Sequence, residues 1–283
     1  MLKVDLHLHS SVSDGRFSPA EVVRKSAGAG LNLISLTDHD NVDGIAPALE
    51  AARNFPGLKV IPGVEISTFA PDGEVHMLGY FIDYTHRELL AALENMRDSR
   101  RKRAQGMVTK LGNLGLTIEW QRVQEIAGTG SIGRPHIAQA LLEKGYITTI
   151  KNAFTKYIGW GGPAYIEREK VSPVEAMELI LRAKGLPVLA HPLTVNDPQA
   201  LIMELKANGL AGIEAYYGEF TPEEIKGLVS LANKHGLMVT GGSDYHGLDG
   251  SAETMIGGVD IPSAVAERLF ALAEQRILKP ANP

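Results

Sequence analysis

The sequence has no cysteine. Disulfides, thiolate metal sites and cysteine nucleophiles are therefore excluded, and any metal centre must be built from His, Asp and Glu. It has no excess of positive charge: the formal net charge is −5, so no global basic field draws in polyanions and any such contact must be a local patch. No apolar run approaches the ~18 residues of a membrane span. The start, Met1-Leu2-Lys3-Val4-Asp5, lacks the apolar stretch of a signal peptide, so a cytoplasmic protein is expected. There is no linker, repeat or low-complexity tract. What remains is ordinary: 283 residues, 44% hydrophobic and 22% charged, enough to bury a full core.

Short apolar runs alternate with longer amphipathic segments. Strands are expected at Lys3–His9, Leu31–Thr37, Leu58–Ile66, Val75–Ile82, Leu186–His191, Ala211–Tyr216 and Leu237–Gly241. Helices are expected at Ser18–Ala29, Val42–Asn54, Ser172–Ala183, Asp197–Ala207 and Thr221–His235. Ser18-Pro19-Ala20-Glu21, Ser172-Pro173-Val174-Glu175 and Thr221-Pro222-Glu223-Glu224 each carry a cap residue, proline at the first helical position and glutamate two positions later. Such alternation predicts an α/β fold with parallel strands, and seven strands suit a barrel. Between about Arg97 and Tyr165 it lapses into helices only: Arg87–Leu114, Trp120–Ile126, Pro135–Leu142 and Ile150–Tyr157. We expect a barrel from residues 1–96 and 166–283, with a helical insertion domain at 97–165 that recognises substrate.

The nine histidines are not scattered. His7 and His9 stand two apart on one strand, hence on one face. Asp244 and His246 repeat that spacing. His39, Glu65 and His191 end or follow strands, Asp14 lies in the loop after the first strand, and His76 falls early in its segment. In parallel barrels the carboxyl ends of the strands form the reaction face, so these groups are expected at one mouth. Taken singly each histidine is more often structural, and His86, His136 and His235 are left outside the metal set. Together, His and carboxylate donors suit Zn, Mn or Fe.

Asp5-Leu6-His7-Leu8-His9-Ser10, Leu36-Thr37-Asp38-His39-Asp40, Gly63-Val64-Glu65, Ala190-His191-Pro192 and Gly242-Ser243-Asp244-Tyr245-His246 resemble, in order, the motifs of the PHP (polymerase and histidinol phosphatase) family. The resemblance implies a distorted seven-stranded, TIM-like barrel holding two or three divalent ions. One would be held by His7, His9, Glu65 and Asp244; a second by Asp14, His39 and His246; a third by Glu65, His76 and His191. Asp14 stands where some relatives have His. The chain is most similar to the branch of nucleoside 3′,5′-bisphosphate phosphatases, AMP phosphatases and 5′–3′ exoribonucleases. That implies hydrolysis of nucleotide phosphomonoesters or short RNA by a metal-bound hydroxide, its parent water acidified by the ions. His191 and His136 are candidates for the proton donor to the leaving oxygen. The alternatives are a histidinol-phosphate phosphatase and a non-catalytic metal-binding regulatory module. No membrane and no obligate protein partner is implied.

The substrate side is read from the long helix. Leu89, Leu93, Met96, Met107, Leu111 and Leu114 form one stripe at 100° per residue, with Arg100 at its centre and Arg97 and Arg103 on its flanks. A buried arginine needs an anionic partner: a substrate phosphate, or a structural Asp or Glu. Related nucleotide phosphatases resemble this chain at these three positions. Arg134 precedes Pro135 at a helix start, where free N–H groups suit phosphate, and His136 sits in the same turn. Trp160, Tyr157 and Tyr165 are candidates to stack a base. Gly159-Trp160-Gly161-Gly162 lacks the Lys-Ser/Thr of a P-loop.

Overall fold

The structure is a computed structural model that describes residues 2–70, 73–128, 130–167, 171–248 and 253–278. Seven strands follow one another round a single sheet in chain order: β1 (Val4–Leu8), β2 (Leu33–Leu36), β3 (Lys59–Ala70), β4 (Gly73–Tyr80), β5 (Leu186–Leu189), β6 (Gly212–Tyr217) and β7 (Met238–Gly242). The sheet curls until its end meets its beginning. His9 N–H donates to Tyr245 O at 3.0 Å, and Asp244 N–H to His7 O at 2.9 Å. Gly242 allows that approach, since a Cβ there would stand 2.3 Å from His7 Cβ. The result is a nearly closed α/β barrel, all seven strands falling where the apolar runs place them.

One expectation is corrected. The strands are not all parallel: β4 runs antiparallel to both β3 and β5. Only two residues separate β3 from β4, too few for a crossover helix, so the pair can only be a hairpin. This puts the beginning of β4 at the mouth, where the other strands end.

The helices follow in order: α1 (Pro19–Gly28), α2 (Ile45–Ala52), α3 (Arg87–Asn113), α4 (Trp120–Ala127), α5 (Arg134–Glu143), α6 (Ile150–Ala153), α7 (Pro173–Arg182), α8 (Pro198–Ala207), α9 (Pro222–Lys234) and α10 (Ala264–Leu278). Ser18, Ser172 and Thr221 close capping boxes with Glu21, Glu175 and Glu224. Past α6 the chain widens into a π-helical turn at Phe154–Ile158. The sequence reading missed α10. Its Val265, Ala266, Leu269 and Ala273 pack with Val4, Leu33, Leu186 and Met238, which lie at strand beginnings, so α10 covers the end of the barrel opposite the mouth.

The long helix α3 serves two cores. Leu89, Leu93 and Met96 pack with Met177 and Ile180 of α7 against the barrel. Met107 and Leu111 pack with Val123, Ile137 and Leu141 among the inserted helices. Leu114, expected in the same stripe, is 48% exposed, because it caps the helix beyond both cores. Arg100 and Arg103 fall where the stripe crosses from one core to the other, above the mouth. No helix among the described residues is long and apolar enough to cross a membrane.

Candidate metal centre

The mouth is built by backbone pairing before any side chain is considered. Thr37 N–H donates to Leu8 O, Asp40 N–H to Glu65 O, Ala190 N–H to His76 O and Asp244 N–H to His7 O. Ser67 stands opposite His76 in the β3–β4 register. Each segment bearing a candidate ligand is thus tied to the next round the ring. Three of these residues, Asp40, His191 and Asp244, hold φ of 48°, 24° and 53°. Left-handed backbone on non-glycine residues is costly and gathers where surrounding structure forces it.

Glu65, fully buried, is the hub. Its Oε2 meets His7 Nε2 and His9 Nε2 at 3.2 Å and His39 Nδ1 at 2.9 Å. Its Oε1 meets His76 Nδ1 at 2.8 Å and His191 Nε2 at 3.2 Å. Asp244 Oδ1 lies 2.9 Å from His9 Nε2 and 3.3 Å from His7 Nε2. Asp14 lies 3.3 Å from His246 Nε2 and 3.9 Å from His39 Nε2. Three groups of donor atoms are mutually close enough to hold an ion: His7, His9, Glu65 and Asp244; His9, Asp14, His39 and His246; and His39, Glu65 and His76. The second group gains His9 over the set named from sequence. The third contains His39 rather than His191, which touches the same oxygen of Glu65 as His76 does.

The donor atoms fit a cation. His7 Nε2, His9 Nδ1 and Nε2, Asp14 Oδ1, His39 Nδ1, Glu65 Oε2 and Asp244 Oδ1 are buried close to one another yet make no hydrogen bond. Polar atoms buried in that state are costly. Tautomers are set to match. His7 Nδ1 bonds Glu214 Oε1 at 3.0 Å, and His246 Nδ1 bonds the Asp244 carbonyl at 2.8 Å. Both acceptors demand a proton on Nδ1, which leaves Nε2 as a free ligand atom. The charges point the same way. Burial pushes the Glu65 carboxyl up, but His39, His7 and His76 outweigh it and hold it well below the usual range. Burial likewise opposes ionisation of Asp14, and His39 and His246 overcome it. Burial lowers His76 and His246, yet Glu65 with Glu74, and Asp14 with Asp244, push them up to about 10. In the metal-free chain, protons meet the negative charge that divalent ions would meet.

A cavity of about 170 Å³ opens from this cluster, lined by His39, His76 and His246 on one side and Arg100, Arg103 and Arg134 on the other. The arginines have protein partners. Arg100 donates to Asp40 Oδ2 and to Ser67 Oγ, and Arg134 donates to Glu74. Arg103 Nε donates to Ile166 O at 2.8 Å, while its Nη2 is buried with no partner. Burial and the neighbouring Arg134 lower the Arg103 guanidinium to about 10, a site short of negative charge. Arg97 and His136 are not on this wall. Arg97 reaches the Asp40 carbonyl at 3.4 Å and lines a separate cleft. His136 lines a neighbouring cavity, its Nδ1 accepting from Gly133 N–H at 2.9 Å. Of the two histidines considered as proton donors, His191 is the one at the cluster. Tyr165 stacks under Arg103 and meets Trp160, which is 55% exposed; Tyr157 packs in the insertion core.

Sequence reasoning missed the supporting carboxylates. Glu214 bonds both His7 Nδ1 and the His191 N–H. Asp38 accepts from Ser10 and Ser13, Asp5 from Ser243 and Gly257, and Glu74 gathers Arg103, Arg134 and His76. Tyr217 OH donates to Asp244 Oδ2 at 2.9 Å. A signal was present for two of them: Glu214 and Asp5 are lone acids inside apolar strand runs, a setting where an acid is almost always partnered.

Comparison with known proteins agrees with this geometry. Residues 5–167 match the PHP domain. The chain is 31% identical to a 3′,5′-nucleoside bisphosphate phosphatase of Chromobacterium violaceum, with all of both chains covered. It is 34% identical to a 5′–3′ exoribonuclease of Haemophilus influenzae, over 86% of this chain and 90% of the relative. A solved structure from Bifidobacterium adolescentis, assigned as a metal-dependent phosphoesterase, superposes with a TM-score of 0.86 at 30% identity, covering 95% of this chain and 96% of that one.

Proposed function

The chain belongs to the PHP domain family of metal-dependent phosphoesterases, and on that premise we propose that it hydrolyses phosphate esters of nucleotides, either nucleoside 3′,5′-bisphosphates and monophosphates or the 5′ end of short RNA. The observation that carries this reading is the shared cavity. One wall brings Asp14, His39, His76 and His246 of the ligand cluster, where Asp14 Oδ1 and His39 Nδ1 make no hydrogen bond, and the other is three arginines. The relatives named for nucleotide and RNA substrates favour it over a histidinol-phosphate phosphatase or a module without turnover.

His7, His9, Glu65 and Asp244 would hold one divalent ion. Asp14, His39 and His246, joined by His9, would hold a second, and Glu65 and His76, with His39 and His191 beside them, a third. Nitrogen and oxygen donors of this kind suit Mn, Zn or Fe. Bound there, the metals supply positive charge and an activated water for attack on phosphorus. The chain's own residues do the rest. Glu214 fixes the His7 ring, Tyr217 holds Asp244, and the backbone ring keeps the donors aimed at one point. Arg100, Arg103 and Arg134 would orient substrate phosphate beyond the scissile one, Arg103 through its unpartnered Nη2. Residues 97–165 would form the recognising unit on the barrel of 1–96 and 166–283, with α3 running unbroken through the boundary at 97.

The test is a panel of phosphomonoesters assayed with Mn²⁺ and with chelator. Metal-dependent release of phosphate from nucleoside bisphosphates or short 5′-phosphorylated RNA is expected. Preference for histidinol phosphate, or turnover unaffected by chelation, overturns the reading.

A further inference from the structure

A second cavity adjoins the first and is larger, about 450 Å³ against about 170 Å³. Asp14 and Pro135 line both. The first cavity is the smaller, and histidines of the ligand cluster together with Arg100, Arg103 and Arg134 surround it, a setting that suits phosphate and leaves a nucleotide's base to the larger volume beside it. The second cavity is that volume. Its two walls differ. Ser11, Ser13 and Arg16 bring polar groups from the barrel loop, while Ile126, Leu142 and Ile150 bring an apolar surface from the inserted helices. A planar heterocycle needs that combination, an apolar face and a polar edge.

The two walls are pinned to each other. Ser131 N–H donates to Val12 O at 3.0 Å, and Gly130 packs so closely that a Cβ there would lie 2.5 Å from Ser11 O. One polar group in the cavity has a fixed protonation. His136 is 8% exposed, and its Nδ1 accepts from Gly133 N–H. The proton of the neutral ring is therefore on Nε2, and the ring can act as a donor. His136 lines this cavity and not the phosphate cavity.

We propose that the second cavity is the nucleobase subsite, in which the base lies against the Ile126–Leu142–Ile150 wall and accepts a hydrogen bond from His136 Nε2–H. The proposal rests on the chain being a nucleotide phosphoesterase. It makes the preference for nucleotides a property of this cavity, separate from the affinity for phosphate.

Two filling substitutions test it from opposite walls, Leu248→Trp on the barrel side and Gln139→Trp on α5. Both residues are at least partly exposed, so the fold should tolerate them, and Gln139 lies outside the loop that carries His246. The metal-loaded protein is assayed on adenosine 3′,5′-bisphosphate and on the abasic analogue with hydrogen in place of adenine. Wild type should favour the adenine compound at least tenfold in kcat/KM, and both variants should lose that preference while the abasic rate stays within twofold. Calorimetry of adenosine with metal-free protein should show binding that both variants abolish. A preference that survives in both variants, or no preference in wild type, overturns the proposal. Failure of the functional reading looks different: wild type would hydrolyse neither ester, and the adenosine titration alone would then decide the cavity, with no binding overturning it.

Discussion

The two walls of the mouth are both highly charged, but they are balanced in opposite ways. At the histidine–carboxylate cluster the buried donor atoms press on one another without hydrogen bonds, Glu65 Oε2 most of all. At the arginine wall the charges are already answered: Arg100 by Asp40 and Ser67, Arg134 by Glu74, with Arg103 Nη2 left buried and unpartnered. The first wall is incomplete as a piece of protein and calls for cations. The second is complete except at one group, so an anion there gains an increment of binding and not a structure. Loss of a cluster residue should therefore end the chemistry, and loss of an arginine should only weaken recognition.

The sharpest way to break that contrast is Asp244→Asn or Glu65→Gln. Either should lower kcat by orders of magnitude with the fold retained, since each removes a donor from the ion set. Steady-state kinetics with elemental analysis and circular dichroism check it, and near-normal kcat in a metal-replete variant removes that residue from the set. Next, Arg103→Ala should cost roughly ten- to a hundredfold in kcat/KM on a nucleoside bisphosphate, because a charged hydrogen bond is worth ~1.5–3 kcal/mol. p-Nitrophenyl phosphate should be affected far less. An equal loss on both esters would make the two walls one unit. Glu214→Gln should act through His7, weakening metal affinity by about tenfold or somewhat more, read by chelator competition; unchanged affinity would make Glu214 a packing group.

The smallest effect is on pH. In the metal-free chain His76 and His246 are pushed up to about 10, above the ~6.5 of an unfolded histidine. Their ion pairs with Glu65 and Asp14 are then fully stabilising below about pH 6.5 and are lost as pH rises through about 10. Metal-free protein should melt lower at about pH 9 than at about pH 6, and apparent Mn²⁺ affinity should rise over the same window as those histidines deprotonate. A metal-free melting temperature that rises toward pH 9 would contradict the assignment.

The same contrast explains what the sequence could reveal. Seven strands and most helices were legible because apolar periodicity and capping residues act locally. The cluster was legible because its members sit at strand ends in recognisable motifs. The direction of β4 was not read, although the eight residues between the expected strands Leu58–Ile66 and Val75–Ile82 are too few for a crossover helix, and so His76 looked out of place at the start of its strand. The arginines were legible by helical phase, but not their partners. Asp40 and Glu74 come from other segments, and nothing local links Arg100 to Asp40 across 60 residues. His136 read as a phosphate group because it follows Arg134 in the chain. Two positions along α5 turn these side chains about 200° apart, so they face different cavities. The helix α10 was missed because its role, covering the far end of the barrel, exists only once the barrel is closed.

The central claim is that the cluster is completed by divalent ions and that these ions make the protein a nucleotide phosphoesterase. The measurement is phosphate release from adenosine 3′,5′-bisphosphate by protein stripped of metal and titrated back with Mn²⁺, with bound metal counted by elemental analysis at each point. The account predicts no turnover in the stripped protein and activity that climbs to saturation as two or three ions bind per chain. Undiminished release by protein shown to be metal-free, or full metal binding with no release from any nucleotide, would contradict it.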